Sequence, residues 1–192
     1  MYPGAVILLL WLAWVISWVL AAFWRSRPEK RAGLGTELPY RIILILGYLL
    51  LFPHRHHHHF VLFHPGPALA WAAVLFSLAG FAFSWWARLH LGALWSGTIT
   101  KKPDHHVVDT GPYGIVRHPI YTGLLWSSFC TLFAFLVGIT PFQLAGFGLI
   151  LFGFWLKARL EEGWLRTQLG AEAYDAYRAR VPMLLPFGPV SN

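Results

Sequence analysis

The chain has 192 residues, of which 57% are hydrophobic and only 12% charged, with a formal net charge of +7. A typical soluble domain carries about 25% charged residues, so a water-soluble enzyme fits poorly, and no basic stripe or aromatic-interleaved basic segment points to nucleic acid. The single cysteine, Cys130, excludes an intramolecular disulfide and any metal or iron–sulfur site built from cysteines alone, and positive charge on so apolar a chain belongs beside anionic lipid heads.

Ala5 to Trp24 supplies 20 residues without a charge, matching the roughly 20 apolar residues that cross a hydrocarbon layer about 30 Å thick. No basic stretch precedes it and Arg25 follows at once, so it reads as a retained anchor and not a cleaved leader. Ile42 to Pro53 is a weaker segment of 12 uncharged residues, which Leu38 to Tyr40 extend if Arg41 reaches for the interface. His54 and His56 to His59 come next. Without an Asp, Glu or Cys nearby to complete or orient a metal shell, they read as a wet, titratable loop and no metal is expected. Pro67 to Ala87 supplies another 21 uncharged residues. Pro119 to Leu156 runs for 38, too long for one crossing at about 1.5 Å per residue. Gly138-Ile139-Thr140-Pro141 near its middle reads as the turn of a helical hairpin.

The expected fold is therefore all-α and integral to the membrane, with about five transmembrane helices, a helical hairpin and a C-terminal amphipathic helix. Five spans put fourteen of the Lys and Arg residues on one side and only Arg55 on the other. That asymmetry places the N-terminus outside and the 88–118 loop and C-terminus in the cytoplasm. Residues 1–66 form an N-terminal unit of two helices with the histidine loop, and 67–192 a core of three helices, a polar loop and a cytoplasmic end. Glu161 to Arg180 reads as one or two short amphipathic helices broken at Gly170, with Leu165, Leu169, Ala173 and Ala176/Tyr177 on one face.

Polar residues gather in two places that this topology brings together. One is the loop from Arg88 to Gly123; the other is Lys157-Ala158-Arg159-Leu160-Glu161-Glu162, directly after the hairpin. Proline is favoured at the first position of a helix, so Pro119 starts one with His118 at its cap. The N–H groups of Ile120, Tyr121 and Thr122 then lack intrahelical partners and, with Arg117 and the helix dipole, make an anion site. Gly123 leaves room against the helix face, and Gly111-Pro112-Tyr113-Gly114 is a tight turn folding the loop back over it. Opposite charges on the two clusters, Arg117 and Lys157 against Glu161 and Glu162, suit a zwitterionic cofactor. An ordinary helix start and a salt-bridged helix end are the plainer alternatives.

Leu91-Gly92-x-x-Trp95-Ser96, His105-x-Val107-Val108, Gly111-Pro112-Tyr113, Arg117-His118-Pro119-x-Tyr121-x-Gly123, Glu161-Glu162 and Gly170-x-x-x-Tyr174-x-x-Tyr177-x-x-x-Val181-Pro182 occur in this order. Together they resemble the isoprenylcysteine carboxyl methyltransferase family in its shorter prokaryotic form, over about residues 68–187. The resemblance implies S-adenosyl-L-methionine as cofactor, methyl transfer to a carboxylate, and a lipophilic or lipidated acceptor within the bilayer. It implies that His105, His106, Val107, Val108, Tyr113, His118, Pro119, Ile120 and Tyr121 line the cofactor pocket, with Thr98 at its edge and Glu161 reaching in from the second cluster. The substrate-orienting arginine of the family aligns with Lys157, a departure that leaves Arg159 as the alternative cation, since lysine lacks the two-pronged fork that matches a carboxylate. Phospholipid methyltransferases share a similar pattern, with His105 or His106 as the base an amine acceptor needs. Sterol reductases carry a similar Arg-His-Pro segment with a nicotinamide cofactor.

Overall fold

The computed structural model describes residues 1–24, 30–31, 33–52, 60–96, 100–101 and 107–190. His54 and His56 to His59 lie outside the described residues, as do Thr98, His105 and His106. Among the described residues the fold is all-helical: α1 Pro3–Ala21, α2 Leu34–Leu51, α3 Pro67–Leu91, α4 Pro119–Ala134, α5 Pro141–Leu169 and α6 Ala171–Arg178. The extended pairings there are two residues long or less: Lys30–Arg31 (β1) lies antiparallel to Thr100–Lys101 (β2), and Phe63 bridges Ile139. Three helical stretches, Pro3–Ala21, Pro67–Leu94 and Pro141–Leu169, are long and apolar enough to cross a membrane.

Local sequence sets the helix starts. Helices α1, α3, α4 and α5 each begin at a proline, whose fixed φ suits the first turn and whose missing N–H costs nothing there. Thr140 and Gln143 add a reciprocal capping box to α5, which satisfies two amide donors at once. The long uncharged run does divide at 135–140, where Gly138 adopts a φ of 99°, but the two helices it separates make their main contacts elsewhere. Helix α4 packs along α3, and α5 along α2. Helix α2 starts earlier than its apolar run suggests. Arg41 is paired with the buried Glu37 one turn before it, which lets both charges sit inside the helix.

Close packing in both pairs comes from missing side chains. A Cβ on Gly123 would lie 2.4 Å from the Gly80 carbonyl and 2.4 Å from Ser84 Oγ, so α3 and α4 meet almost backbone to backbone. Buried Ser77, Ser84 and Ser127 line this seam, with Ser127 Oγ donating to the Ser77 carbonyl at 3.0 Å. Gly146 and Gly47 do the same for α5 and α2, where a Cβ on Gly146 would come within 2.8 Å of the Gly47 carbonyl. Small residues at helix crossings are what lipid-embedded bundles use, since hydrocarbon offers helices no hydrophobic incentive to associate.

Helix α1 completes the bundle. Trp11 packs edge-on against Tyr48, Phe52 and Phe81 and donates to Thr131 Oγ1 at 2.9 Å. At the other end the buried Arg88 donates to the carbonyls of Ala21 and Gly92 at 2.9 and 2.8 Å, with its guanidinium 4.3 Å from the Trp95 ring. It thereby fastens the end of α1 to the end of α3, where helix carbonyls carry partial negative charge. These contacts fix the helix directions as alternating: α1, α3 and α5 run one way, α2 and α4 the other.

Candidate functional site

The end of the bundle where α3 stops and α4 starts holds a cavity of about 280 Å³. Its floor is the beginning of α4. Gly111, at a φ of 57°, opens the 3₁₀ turn Gly111–Gly114, a conformation that favours glycine. The turn directs Tyr113 inward beneath His90, whose ring stacks on it at 6.2 Å. The chain then bends through Arg117 and His118, whose amides donate to the carbonyls of Pro182 and Met183 at 2.9 and 3.1 Å. Pro119 starts α4 with His118 as its cap residue.

Helix α5 overshoots the apolar layer. Its 29 residues rise about 43 Å, and the last turns carry Lys157, Glu161 and Glu162 to the start of α4. Glu161 lines the cavity; its Oε2 accepts from the Tyr121 hydroxyl at 2.6 Å and lies 3.7 Å from His118 Nδ1. Lys157 Nζ stands 3.9 Å from Glu161 Oε1 and 5.0 and 5.5 Å from the ring centres of Tyr121 and Tyr40. The rings of His118, Tyr121 and Phe154 stack in series, at 5.3 and 5.1 Å.

Glu162, one residue on, faces a different environment. Its carboxylate takes Arg117 Nε at 2.7 Å and His118 Nε2 at 3.2 Å, and Arg178 Nε approaches at 3.5 Å. The Arg117 side chain is fully buried and donates in addition to the carbonyls of Arg178 and Val181. The two adjacent glutamates are thus divided in role: Glu161 faces the cavity, and Glu162 is the hub of a buried ionic cluster tying α4, α5 and the segment after α6 together.

Helix α6 closes the cavity. It is separated from α5 by Gly170 at a φ of 97°. Tyr174 and Tyr177 line the cavity, packed with Val181, Val107, Leu165 and Leu169, and the Tyr177 hydroxyl donates to the Tyr113 carbonyl at 2.7 Å. Burial pushes the phenols of Tyr113, Tyr174 and Tyr177 up, which keeps them neutral donors. Outside the cavity Arg166 holds Asp175 across the elbow at 2.8 Å, and that guanidinium draws the Asp175 carboxyl below the usual range.

Of the residues singled out from the sequence, Val107, Val108, Tyr113, Arg117, His118, Pro119, Ile120, Tyr121, Lys157 and Glu161 line this one cavity. Others are placed differently. The Thr122 amide donates to the His118 carbonyl at 3.0 Å, because the cap residue already accepts the first helical bond. Arg117 is neutralised by Glu162. The expected anion site of three amides and an arginine is therefore not what forms here. Gly123 faces α3, and the space it leaves is filled by Gly80 and Ser84. Arg159 is exposed on the outer side of α5, 5.8 Å from the Trp155 ring. In α6 the buried positions are Tyr174 and Tyr177, while Ala173 and Ala176 are exposed.

Sequence reading missed the wall supplied by α1. Trp14 and Trp18 line the cavity, stacked on each other at 4.6 Å, with Trp18 edge-on to Trp95 at 5.4 Å. Their signal was the spacing of Trp11, Trp14 and Trp18 along one helical face, which in a lipid-crossing segment looks the same as an interfacial aromatic belt.

Among the described residues the chain is all-helical with membrane-length helices, and one end of the bundle holds an aromatic cavity into which Arg117, His118, Lys157 and Glu161 bring charge. Residues 72–163 match the model of the isoprenylcysteine carboxyl methyltransferase (ICMT) family, which is the family this segment is similar to. Protein-S-isoprenylcysteine O-methyltransferase of Saccharomyces cerevisiae is 35% identical over 88 residues, which are 45% of this chain and 35% of the yeast protein. The match thus spans about a third of that curated relative. Helices α1, α2 and α6 lie outside the family-matched residues, although α1 and α6 contribute cavity walls.

Proposed function

We propose that the protein transfers a methyl group from S-adenosyl-L-methionine to the carboxylate of a membrane-soluble, isoprenylcysteine-type acceptor. The observation that carries this reading is the placement of Glu161, a carboxylate held by Tyr121 at the polar end of an otherwise aromatic cavity. That combination suits a cofactor with an ammonium group, a sulfonium and a planar base. The enzyme sits in the bilayer as five spans, α1 to α5, with the N-terminus outside and the cavity cytoplasmic. The alternating helix directions and the fourteen-to-one distribution of Lys and Arg support this. Residues 67–192 carry the chemistry, and residues 1–66 support it.

When bound, S-adenosyl-L-methionine supplies a methyl group already activated by its positively charged sulfur. Little is then asked of the protein beyond alignment and exclusion of water. Glu161 takes the cofactor's ammonium, with the Tyr121 hydroxyl fixing the carboxylate. His118, set between the two glutamates, fixes the relation of cavity to ion cluster. Tyr113, Trp95, Tyr174 and Tyr177 form walls on which planar and cationic groups rest. Val107 and Val108 extend those walls, and the resemblance adds Thr98, His105 and His106 to the cofactor-binding residues.

Lys157 orients the acceptor's carboxylate. A lysine offers a point charge without a fork, so alignment falls more on the apolar walls than it does in relatives with arginine. A carboxylate acceptor is already ionised at neutral pH and would need no base from the protein. An amine acceptor would need a base. His118 lines the cavity with both of its ring nitrogens facing carboxylates, and His105 and His106, the bases named for an amine acceptor, lie outside the described residues.

Calorimetric titration of S-adenosyl-L-methionine into detergent-purified protein tests the proposal. Micromolar binding is expected, weakened at least tenfold in Glu161→Gln. A well-folded sample that does not bind, or binding indifferent to the substitution, overturns it. Methyl transfer assayed with a prenylated N-acylcysteine against phosphatidylethanolamine then separates a carboxylate from an amine acceptor.

A further inference from the structure

The ionic cluster holds the chain after α6 against the start of α4, but that chain does not stop at the polar end. Residues 182–190 lie along the outer face of α5 and enclose, with Gly148, Leu151, Phe152 and Trp155, a second, apolar cavity of about 540 Å³. Gly148 and Trp155 precede Glu162 by 14 and 7 residues, so this groove lies about 10 to 21 Å along the helix from the ion cluster. In a helix long and apolar enough to cross a membrane, that depth is hydrocarbon. The segment's exposed side chains agree: Leu185, Phe187 and Val190 are 65%, 102% and 45% exposed.

Irregular backbone is tolerated at such depth where its polar groups find partners or are missing, and several in this segment do or are. Pro182, Pro186 and Pro189 have no N–H to satisfy. The carbonyls of Pro182 and Met183 accept from the amides of Arg117 and His118, and that of Leu184 from Thr122 Oγ1 at 2.6 Å. The Gly188 amide donates to the Leu185 carbonyl at 2.9 Å. Phe187, at a φ of 61°, is held in a backbone region that bulky residues seldom adopt, and its side chain projects away from the protein. One turn beyond Trp155, toward the polar end, stands the exposed Arg159. The face thus presents an apolar slot capped by an indole and a guanidinium, the order of groups met along a phospholipid from chain to head.

We propose that residues 184–190 are embedded in the bilayer and, with α5, form a groove for one acyl chain of an anionic phospholipid whose phosphate sits at Arg159. Anionic lipid is the occupant because the cation lies at the level where cytoplasmic-leaflet head groups carry negative charge. Through the amides of Arg117 and His118, the same segment links the lipid groove to the floor of the methyl-transfer cavity.

The test reads fluorescence alone, so its outcome is separate from that of the methyl-transfer reading. In Cys130→Ala protein, Phe187→Cys and Val190→Cys are each labelled with bimane and reconstituted in vesicles. Position 187 is fully exposed, so its replacement leaves the packing intact. Quenching by chain-brominated phospholipid but not by aqueous iodide is expected at both positions. At position 190, which lines the groove, brominated phosphatidylglycerol is expected to quench at least twofold more than brominated phosphatidylcholine, with the difference lost in Arg159→Gln. Quenching by iodide would put the segment in water. Access by neither quencher would mean that protein covers it, and equal quenching by the two lipids would remove the head-group site. Each of these outcomes overturns the proposal.

Discussion

Glu161 and Glu162 are neighbours of identical chemistry whose surroundings give them opposite duties. Helical geometry turns consecutive residues about 100° apart, so one points to the cavity and the other to Arg117. Removing Glu162 leaves the Arg117 guanidinium buried without its counter-charge, an arrangement that costs about 3–5 kcal/mol. Glu162→Gln is accordingly expected to lower the thermal midpoint in detergent by on the order of 10 °C. Glu161→Gln, which disturbs a solvent-reachable carboxylate, should change the midpoint little while weakening cofactor binding. Equal midpoints for the two variants would contradict this division of roles. The paired glutamates were visible in the sequence. Which one serves the fold was not, because it depends on which face of α5 meets α4.

At the scale of elements, the bundle is two glycine-mediated pairs, α3 with α4 and α2 with α5, and the cavity lies where they meet. Gly123→Val places carbon where the Gly80 carbonyl and Ser84 already are. Backbone cannot yield as a flexible side chain does, and overpacking of this kind typically costs about 1–3 kcal/mol. Gly163 is also helical but has nothing within 4 Å of its would-be Cβ, and replacing an unneeded helical glycine by alanine gains roughly 0.5–1 kcal/mol. Thermal unfolding of Gly123→Val and Gly163→Ala should therefore shift in opposite directions. A common direction would mean that the close approach of α3 and α4 is not what holds them. The helices themselves were largely legible: four prolines mark starts, and uncharged runs mark extents. Their pairing was not, since an interrupted apolar run suggests a tight hairpin whether or not its two arms choose each other.

For the whole molecule, the proposed five spans would place α1's beginning and α6 on opposite sides of the bilayer. In Cys130→Ala protein expressed in intact cells, a membrane-impermeant thiol reagent should label Tyr2→Cys and leave Ala173→Cys unlabelled until the membrane is opened. Both positions are exposed in the structure, so accessibility reports topology and not packing. Labelling of both, or the reverse order, would reject the five-span arrangement. The same layout explains why the cavity needs α1. Trp14 and Trp18 come from the far end of the chain to face Trp95 and α4, and Arg88 secures them by binding the Ala21 carbonyl.

What the sequence by itself determined is whatever depends on near neighbours and on solvent. Length of apolar runs fixes where the chain prefers lipid, proline and glycine fix where helices start and stop, and the ordered motifs from Leu91 to Glu162 point to the methyltransferase family. Tertiary structure alone decided which polar residues are spent on the fold. Arg117 and Glu162 look like ligand-binding groups in a linear reading. Across 45 residues of separation they find one another at 2.7 Å, because a charge removed from water is stabilised most by the nearest opposite charge. Only once they are paired do Glu161, Lys157 and Tyr121 remain to face the cavity.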